Sequence, residues 1–327
     1  MTDRFFVIGC GSIGQRHIRN LRALGVTHLA AYDPDPVRLK RVVQEQAVIA
    51  SVSVEAGLAD RPEIVLICTP PHLHTSLAQQ AIDAHAHVFL EKPMANDLTG
   101  VAQLLQTARD ANRLIYVAYN LRFHAGLCKL KELLDEGAIG KLLAIRAEVG
   151  QYLPDWRPTQ DYRQGYNVSA AMGGGIILDA SHELDYVRWL GGEVSGVYCA
   201  AGHLSDLEMD VEDTAAIVLR LTTGVLAEVH LDCVQRGYAR HCKLIGSEGT
   251  LIWDFKEGVR HLQPDKTWRV YPLTPDPNDM YLAELRHFLA CVRGEELPLV
   301  PGAEGRRVLE IALAARQSAN THCEVRV

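Results

Sequence analysis

Apolar positions follow two different rhythms along the chain. Up to about residue 118, short runs of consecutive apolar residues alternate with longer stretches of helical period. The runs at 5–8 (FFVI), 28–32 (HLAAY), 63–68 (EIVLIC), 87–90 and 114–118 predict strands, the most apolar of them covered on both faces. Between them, Ile13, Ile18, Leu21 and Leu24 share one helical face, an Ala- and Leu-rich helix runs to about Ala84, and 98–111 is helical. This alternation predicts a doubly wound α/β domain over 1–120, with a parallel sheet between two helical layers.

Beyond Tyr119 and Asn120 the rhythm changes. After a short amphipathic helix at 127–134, residues 142–149 alternate as a half-buried strand does. Further strands are predicted at 194–201, 215–221, 225–231, 240–245 and 250–254, with Thr222-Thr223-Gly224 and Gly246-Ser247-Glu248-Gly249 as hairpin turns. Strands without intervening helices predict a large, mainly antiparallel open sheet in an α+β domain over 121–327. Two closing helices, 281–292 and 304–315, are expected to pack back toward the first domain.

Length and composition narrow the function. A chain of 327 residues suits two domains, and 48% hydrophobic with 22% charged residues is ordinary for a globular protein. Net charge is −7 with no basic run, which argues against nucleic-acid binding. No apolar stretch reaches the roughly 18–20 residues of a membrane span, and the N-terminal apolar run ends at a glycine turn, unlike a signal peptide. Eight scattered cysteines without a C-x-x-C pair predict reduced thiols in a cytoplasmic protein. His72/His74 and His85/His87 form H-x-H pairs with no third ligand in view, so no metal is expected.

The first candidate chemistry lies directly after the first strand. Gly9, Gly11 and Gly14 stand at G-x-G-x-x-G spacing, with Ser12 and Ile13 opening the helix. In a strand–turn–helix these glycines allow the tight turn, the approach of a pyrophosphate and close helix packing, while the helix N-terminus offers amides and partial positive charge. Asp33 ends the next strand, about 20 residues on, where a carboxylate accepts from ribose hydroxyls. It would oppose a 2′-phosphate, so NAD is predicted over NADP, although Arg38 stands nearby; the alternative for Asp33 is a cap before Pro34.

All the unusual residues collect at predicted strand C-termini: 9–14, Asp33, 69–74, 91–93 and Tyr119-Asn120. Lys92 follows an apolar strand and precedes Pro93, whose peptide bond is a candidate for cis. Its ammonium can donate to a developing alkoxide or lose its proton on desolvation. The alternative is a solvated loop lysine or a partner for Glu91.

GCGSIG, CTPPHLH, EKP and YNLRF occur in the order and spacing of one family. The whole chain resembles the glucose–fructose oxidoreductase / inositol dehydrogenase / rhizopine-catabolism (Gfo/Idh/MocA) oxidoreductases. The resemblance implies a Rossmann domain, a catalytic Lys92 beside nicotinamide and substrate, and cofactor contacts from Thr69, Pro70, His74 and Glu91. Without it, His72 and His74 rank as helix N-terminal residues more often than as ligands. Asn120 and Arg122 of YNLRF become candidate substrate contacts. Family members often associate through the second-domain sheet, which implies a homodimer or homotetramer.

Two later stretches carry candidate substrate chemistry. In 173–185, three glycines allow close approach of backbone to ligand, and on a continuous helix Asp179 and His182 share a face at i and i+3. His182 would then take a hydroxyl proton with Asp179 orienting it; the alternative is a helix start capped by Asp179 or Ser181. The segment resembles the family's GGG-x-x-x-D-x-G-x-H pattern, but with D-x-x-H spacing and Ser181 in place of glycine. In 151–163, Trp156 suits a sugar ring while Arg157 and Arg163 suit a carboxylate or phosphate; the alternative is aromatics covering the core. This stretch resembles a subgroup of surface-polysaccharide and acidic-sugar pathways, which implies a polyol or sugar-derivative substrate, neutral or anionic.

The leading expectation is an NAD-dependent oxidoreductase acting on a sugar or polyol CH–OH carbon. Lys92 polarises and transfers a proton, His182 acts as acid/base and Asp179 orients, with Lys92 and His182 converging on one carbon. Two alternatives stay open: transient use of NAD in sugar elimination or hydrolysis, and a non-catalytic dinucleotide-sensing regulator.

Overall fold

Phe5, Phe6, Val7 and Ile8 are at most 2% exposed in the computed structural model, which describes residues 4–273 and 276–327. They form β1 (Arg4–Ile8), the centre of a six-stranded sheet. The chain then alternates as its apolar rhythm predicts: α1 (Ser12–Ala23), β2 (His28–Tyr32), α2 (Pro36–Gln46), β3 (Ile49–Ala50), α3 (Val54–Ala59), β4 (Ile64–Ile67), α4 (His74–Asp83), β5 (His87–Glu91), α5 (Val101–Asp110) and β6 (Ile115–Ala118). All five strand pairings are parallel, in the order β3-β2-β1-β4-β5-β6. Strand order therefore reverses between β1 and β4, and ligands of such sheets bind beyond the strand ends at that point.

Asp35, not Asp33, caps α2: its side chain accepts from the Val37 and Arg38 amides, with Pro36 at the first helical position. The core of this unit holds Phe89 stacked on Tyr116 at 5.8 Å, with Phe288 set edge-on to both. Each such side chain stabilises by about 1.5–3 kcal/mol on burial. The first compact unit comprises the chain up to Tyr119 together with Tyr281–Arg307.

The second unit comprises Asn120–Met280 and Val308–Val327. It contains α6 (Ala125–Asp135), β7 (Leu142–Gly150), two consecutive short helices α7 (Ile176–Asp179) and α8 (His182–Gly191), and the strands β8 (Val194–Gly202), β9 (Thr214–Leu221), β10 (Leu226–Asp232), β11 (Ala239–Gly246), β12 (Thr250–Asp254), β13 (Gly258–Leu262) and β14 (Trp268–Pro272). After them come α9 (Asp279–Val292), α10 (Gly302–Thr321) and β15 (Val325–Arg326). The nine-stranded sheet runs β14-β13-β12-β11-β7-β10-β9-β8-β15; β7 and β10 pair in parallel and every other pair is antiparallel.

Burial alternates along β9 and β10, so one face of this sheet is packed and the other open. The strands absent from the sequence expectation are the two-residue β3 and β15, together with β13 and β14. β14 (WRVYP) lies at the sheet edge and is largely exposed, so packing imposes no apolar alternation on it.

Candidate active site

The turn after β1 is built by steric necessity. Gly9 has φ +96°, and a Cβ there would lie 2.5 Å from the Cys68 carbonyl oxygen at the end of β4. A Cβ on Gly14 would lie 1.9 Å from the Gly9 carbonyl oxygen, so only glycine lets α1 seat on the turn. Gly11 is different: a Cβ there meets nothing within 4 Å. It faces open space at the start of α1, where the amides of Ser12 and Ile13 precede the first helical hydrogen bonds. An open, amide-lined helix start at a strand-order reversal fits a pyrophosphate.

Asp33 is 5% exposed, and its carboxylate accepts from the Cys10 amide (2.7 Å) and the Asp35 amide (2.8 Å). It therefore fixes both its own turn and the glycine turn. A carboxylate offers about four acceptor positions, so these two amides leave capacity for ribose hydroxyls. Arg38 lies 3.8 Å from Asp33 and 3.3 Å from Asp35, and so is engaged by two acids. At the mouth of β4, the Thr69 hydroxyl is buried with no hydrogen-bond partner among the described residues, and Pro70 follows it. A buried orphan hydroxyl beside the crevice is what a cofactor amide or hydroxyl would satisfy.

The histidine of CTPPHLH requires a correction. Both His74 ring nitrogens face backbone carbonyls: Nδ1 that of Pro93 and Nε2 that of Thr69, each at 2.8 Å. A neutral imidazole carries one N–H and so donates to one of these carbonyls at a time, but both nitrogens of the fully buried ring face the protein's own backbone. Burial pushes its pKa down, against the opposing pull of the two carbonyls and Glu91. Glu91 is likewise committed to protein: Oε1 meets His17 Nε2 at 2.7 Å, and Oε2 accepts from the Lys92 amide at 3.3 Å. His17, from α1, is a partner of Glu91 that the apolar pattern gave no reason to single out. Lys92 is partly exposed at the end of β5, and the Lys92–Pro93 peptide is cis.

In the second unit the glycine triplet serves the protein's own backbone. A Cβ on Gly174 would lie 2.3 Å from the Tyr166 carbonyl oxygen and 2.6 Å from that of Asn167. Gly173 and Gly175 have φ +81° and +99°. The expected approach of backbone to ligand is thus an approach of backbone to backbone. Nor do Asp179 and His182 share one helix: α7 ends at Asp179 and α8 begins at His182, with Ala180 at φ −93°, ψ 28° between them. The i, i+3 argument assumed helical dihedrals through Ala180, which the chain does not adopt.

Asp179 is 8% exposed and accepts from the Tyr166 hydroxyl (2.7 Å) and from the Asn167 side-chain amide. Sequence reading missed these two residues, because their loop carries no periodic signal. His182 is 9% exposed at the first position of α8.

That helix is pinned by buried ion pairs. Glu183 meets Arg240 of β11 at 2.8 Å. Asp185 takes the Arg122 fork at 2.7 Å, and both partners are almost fully buried. Arg122 was expected at the substrate; its guanidinium is instead spent on Asp185, and removing either partner would leave a buried charge unpaired. Asn120 is 5% exposed. In the 151–163 stretch, Trp156 donates to the Gln151 carbonyl at 2.9 Å and Arg157 is exposed. Arg163 is exposed and already paired with Asp161 and Glu208, which raises its pKa further and lowers that of Asp161.

Comparison with known proteins supplies the family context. The oxidoreductase family with an NAD-binding Rossmann fold matches residues 4–119, and the GFO/IDH/MocA C-terminal domain matches residues 127–252. The chain is 31% identical to a myo-inositol 2-dehydrogenase of Thermotoga maritima, covering 96% of each. It is 31% identical to an inositol 2-dehydrogenase of Ralstonia nicotianae, over 91% of this chain and 88% of that one. Among solved structures, the WlbA dehydrogenase of Bordetella pertussis, in complex with NADH and UDP-GlcNAcA, superposes with TM-score 0.87 at 21% identity, covering 99% of this chain and 97% of that one. At that identity the likeness concerns the fold.

Proposed function

Because the chain belongs to the GFO/IDH/MocA oxidoreductase family, we propose that it is an NAD-dependent dehydrogenase that oxidises a CH–OH carbon of a sugar or polyol, or reduces the corresponding carbonyl. The observation that carries this reading is the crevice at the β1/β4 reversal. It joins an open Gly11, the free amides of α1, a positioned Asp33 and an orphan Thr69 hydroxyl. Bound NAD would supply the hydride acceptor. Ser12, Ile13 and the glycines would hold the pyrophosphate, Asp33 the ribose, and Thr69 and Pro70 the cofactor edge beyond β4.

The protein's own groups do the proton chemistry in this reading. Lys92 donates to the substrate oxygen and stabilises its alkoxide character, a preorganised electrostatic role. His182 takes the hydroxyl proton, and Asp179, fixed by Tyr166 and Asn167, keeps an orienting role. Asn120, Trp156 and Arg157 contact the substrate. NAD is preferred over NADP because Asp33 would face a 2′-phosphate with like charge. We also propose a homodimer or homotetramer through the open face of the nine-stranded sheet, where Tyr198, Val218 and Leu226 are 47%, 42% and 47% exposed. Exposed apolar side chains grouped on one sheet face suit burial by a second copy.

The test is a panel of inositols, sugars, uronic acids and nucleotide sugars with NAD, followed at the NADH absorbance. At least one compound should give stoichiometric NADH, with NADP much poorer. Loss of substrate without NADH would favour transient use of the cofactor, and inertness of the whole panel despite tight NAD binding would favour a sensor.

A further inference from the structure

The turn bearing Lys92 is held from two sides by buried histidines that come from other elements. On the side before Lys92, His17 of α1 is fully buried and sets its Nε2 2.7 Å from Glu91 Oε1, while Glu91 Oε2 accepts from the Lys92 amide. His17 Nδ1 is buried without a hydrogen-bond partner among the described residues, so this ring's hydrogen belongs on Nε2, where it donates to Glu91. On the side after Lys92, His74 lies between the Pro93 carbonyl and the Thr69 carbonyl, at 2.8 Å from each. Thr69 follows β4 and Lys92 follows β5, so the His74 ring, whose single N–H in the neutral form donates to one carbonyl at a time, is lodged between two adjacent strand ends.

We propose that His17 and His74 are positioning residues: together they fix the backbone on both sides of Lys92 and thereby aim its ammonium. The proposal rests on the reading of Lys92 as the group that donates to the substrate oxygen. The physical reasoning is that a lysine side chain has four rotatable bonds and little power to aim itself. Its direction depends on where the Cα is held, and displacement by about 1 Å at a reacting centre can cost 10²-fold in rate. Glu91 and Pro93 are the chain neighbours of Lys92, so each histidine acts one residue away from it. Neither histidine reaches the crevice through a free donor, which separates this role from a cofactor contact. His17 adds a second consequence: it belongs to the helix whose N-terminus would receive the pyrophosphate, so that helix and the lysine turn are joined by one buried hydrogen bond.

The test compares His74→Ala, His74→Gln, His17→Ala and His17→Gln in the full chain. Glutamine at 74 keeps two hydrogens on one nitrogen, and at 17 it places a donor near the Nε2 position. Three measurements are made: NAD affinity by fluorescence titration, kcat and KM on the best panel substrate, and the rate and pH profile of Lys92 modification by trinitrobenzenesulfonate, with Lys243 mapped as internal reference. His74→Ala should lower kcat by 10-fold or more with KM for NAD within threefold. It should change the Lys92 modification rate at least threefold while Lys243 is unchanged, and His74→Gln should recover most of both effects. His17→Ala should lower kcat and change the Lys92 modification rate in the same direction as His74→Ala, and His17→Gln should recover most of both effects.

Unchanged Lys92 modification and unchanged kcat in a folded His74→Ala or a folded His17→Ala would overturn the proposal. So would a large loss of NAD affinity with kcat kept, which would make His74 a cofactor contact after all. If both His74 variants fail to fold, the ring serves the fold as a whole and the proposal is likewise overturned. Lys92→Met separates the two levels: wild-type turnover there would remove Lys92 from the chemistry, while the modification profile still decides whether the histidines hold its turn.

Discussion

Two glycine-rich segments, 9–14 and 173–175, look alike in sequence and do different work in the structure. In the first, two glycines are required by the protein and one is left over: Gly9 and Gly14 abut backbone, whereas Gly11 borders empty space. In the second, Gly174 abuts the Tyr166 and Asn167 carbonyls, and Gly173 and Gly175 supply positive φ. A glycine that nothing in the protein requires marks room for something outside it. A glycine pressed against its own chain marks packing. The same contrast separates the side chains: Asp33 and Thr69 keep unused hydrogen-bonding capacity, whereas Arg122 and Arg163 already have carboxylate partners.

The sharpest way to break this comparison is through the second segment's chemistry. His182→Ala should lower kcat by about 10²–10⁴, the usual worth of a general acid/base, with little change in Tm. Near-normal kcat would leave the segment a packing device only. Next come the glycines themselves. Gly14→Ala and Gly174→Ala each force a backbone shift and should destabilise by about 1–3 kcal/mol in urea unfolding. Gly11→Ala should leave unfolding unchanged and weaken NAD binding at least 10-fold. If Gly11→Ala unfolds the protein, or binds NAD normally, the distinction drawn from empty space is wrong.

A third prediction concerns pH. His124 in the second unit is 5% exposed; burial, aided by Arg240, pushes its pKa down to about 4, against a backbone hydrogen bond at Phe255. The unfolded chain, with an ordinary histidine pKa near 6.5, therefore binds more protons across that interval. Its contribution is complete above about pH 6.5 and is lost as pH falls toward 4, amounting to about 2 kcal/mol at pH 5. His124→Asn should flatten the pH dependence of Tm between 7 and 5; an unchanged slope would assign the effect to other groups, His74 and His87 among them, whose pKa values are also lowered by burial.

A smaller effect is expected at Asp33. Its exchange for Asn should narrow the preference for NAD over NADP by roughly 10-fold, the size of one charge-assisted interaction. Unchanged selectivity would confine Asp33 to its turn. The smallest is Arg163→Gln, which should leave KM within twofold because Arg163 is exposed and its charge is already answered by two acids. Arg157→Gln, with the same change in charge, should raise KM for an anionic substrate.

The legible part of the molecule was that in which chemistry is carried by backbone geometry. The run FFVI, the spacing of Gly9, Gly11 and Gly14, and Asp33 at the end of HLAAY name their own structural context, and strand, turn and helix appear where each requires. Side-chain partnerships were not legible. Arg122 and Asp185 are 63 positions apart, and Tyr166, Asn167 and Asp179 meet through a loop without a period. Whether a helix continues through Ala180 is decided by how that loop packs, and two residues at a helical interval do not determine it. His17 and His74 lie inside motifs read for other reasons, and only coordinates reveal that His17 Nε2 meets Glu91 and that both His74 nitrogens face backbone carbonyls.

The central claim is that Lys92, at the end of β5, donates to the substrate oxygen and stabilises its alkoxide character in an enzyme whose NAD site is built independently of that side chain. Lys92→Met should bind NAD within threefold of wild type by fluorescence titration and lose about 10³-fold or more in the single-turnover rate of NADH formation. Turnover at the wild-type rate in a folded, NAD-binding variant would contradict it.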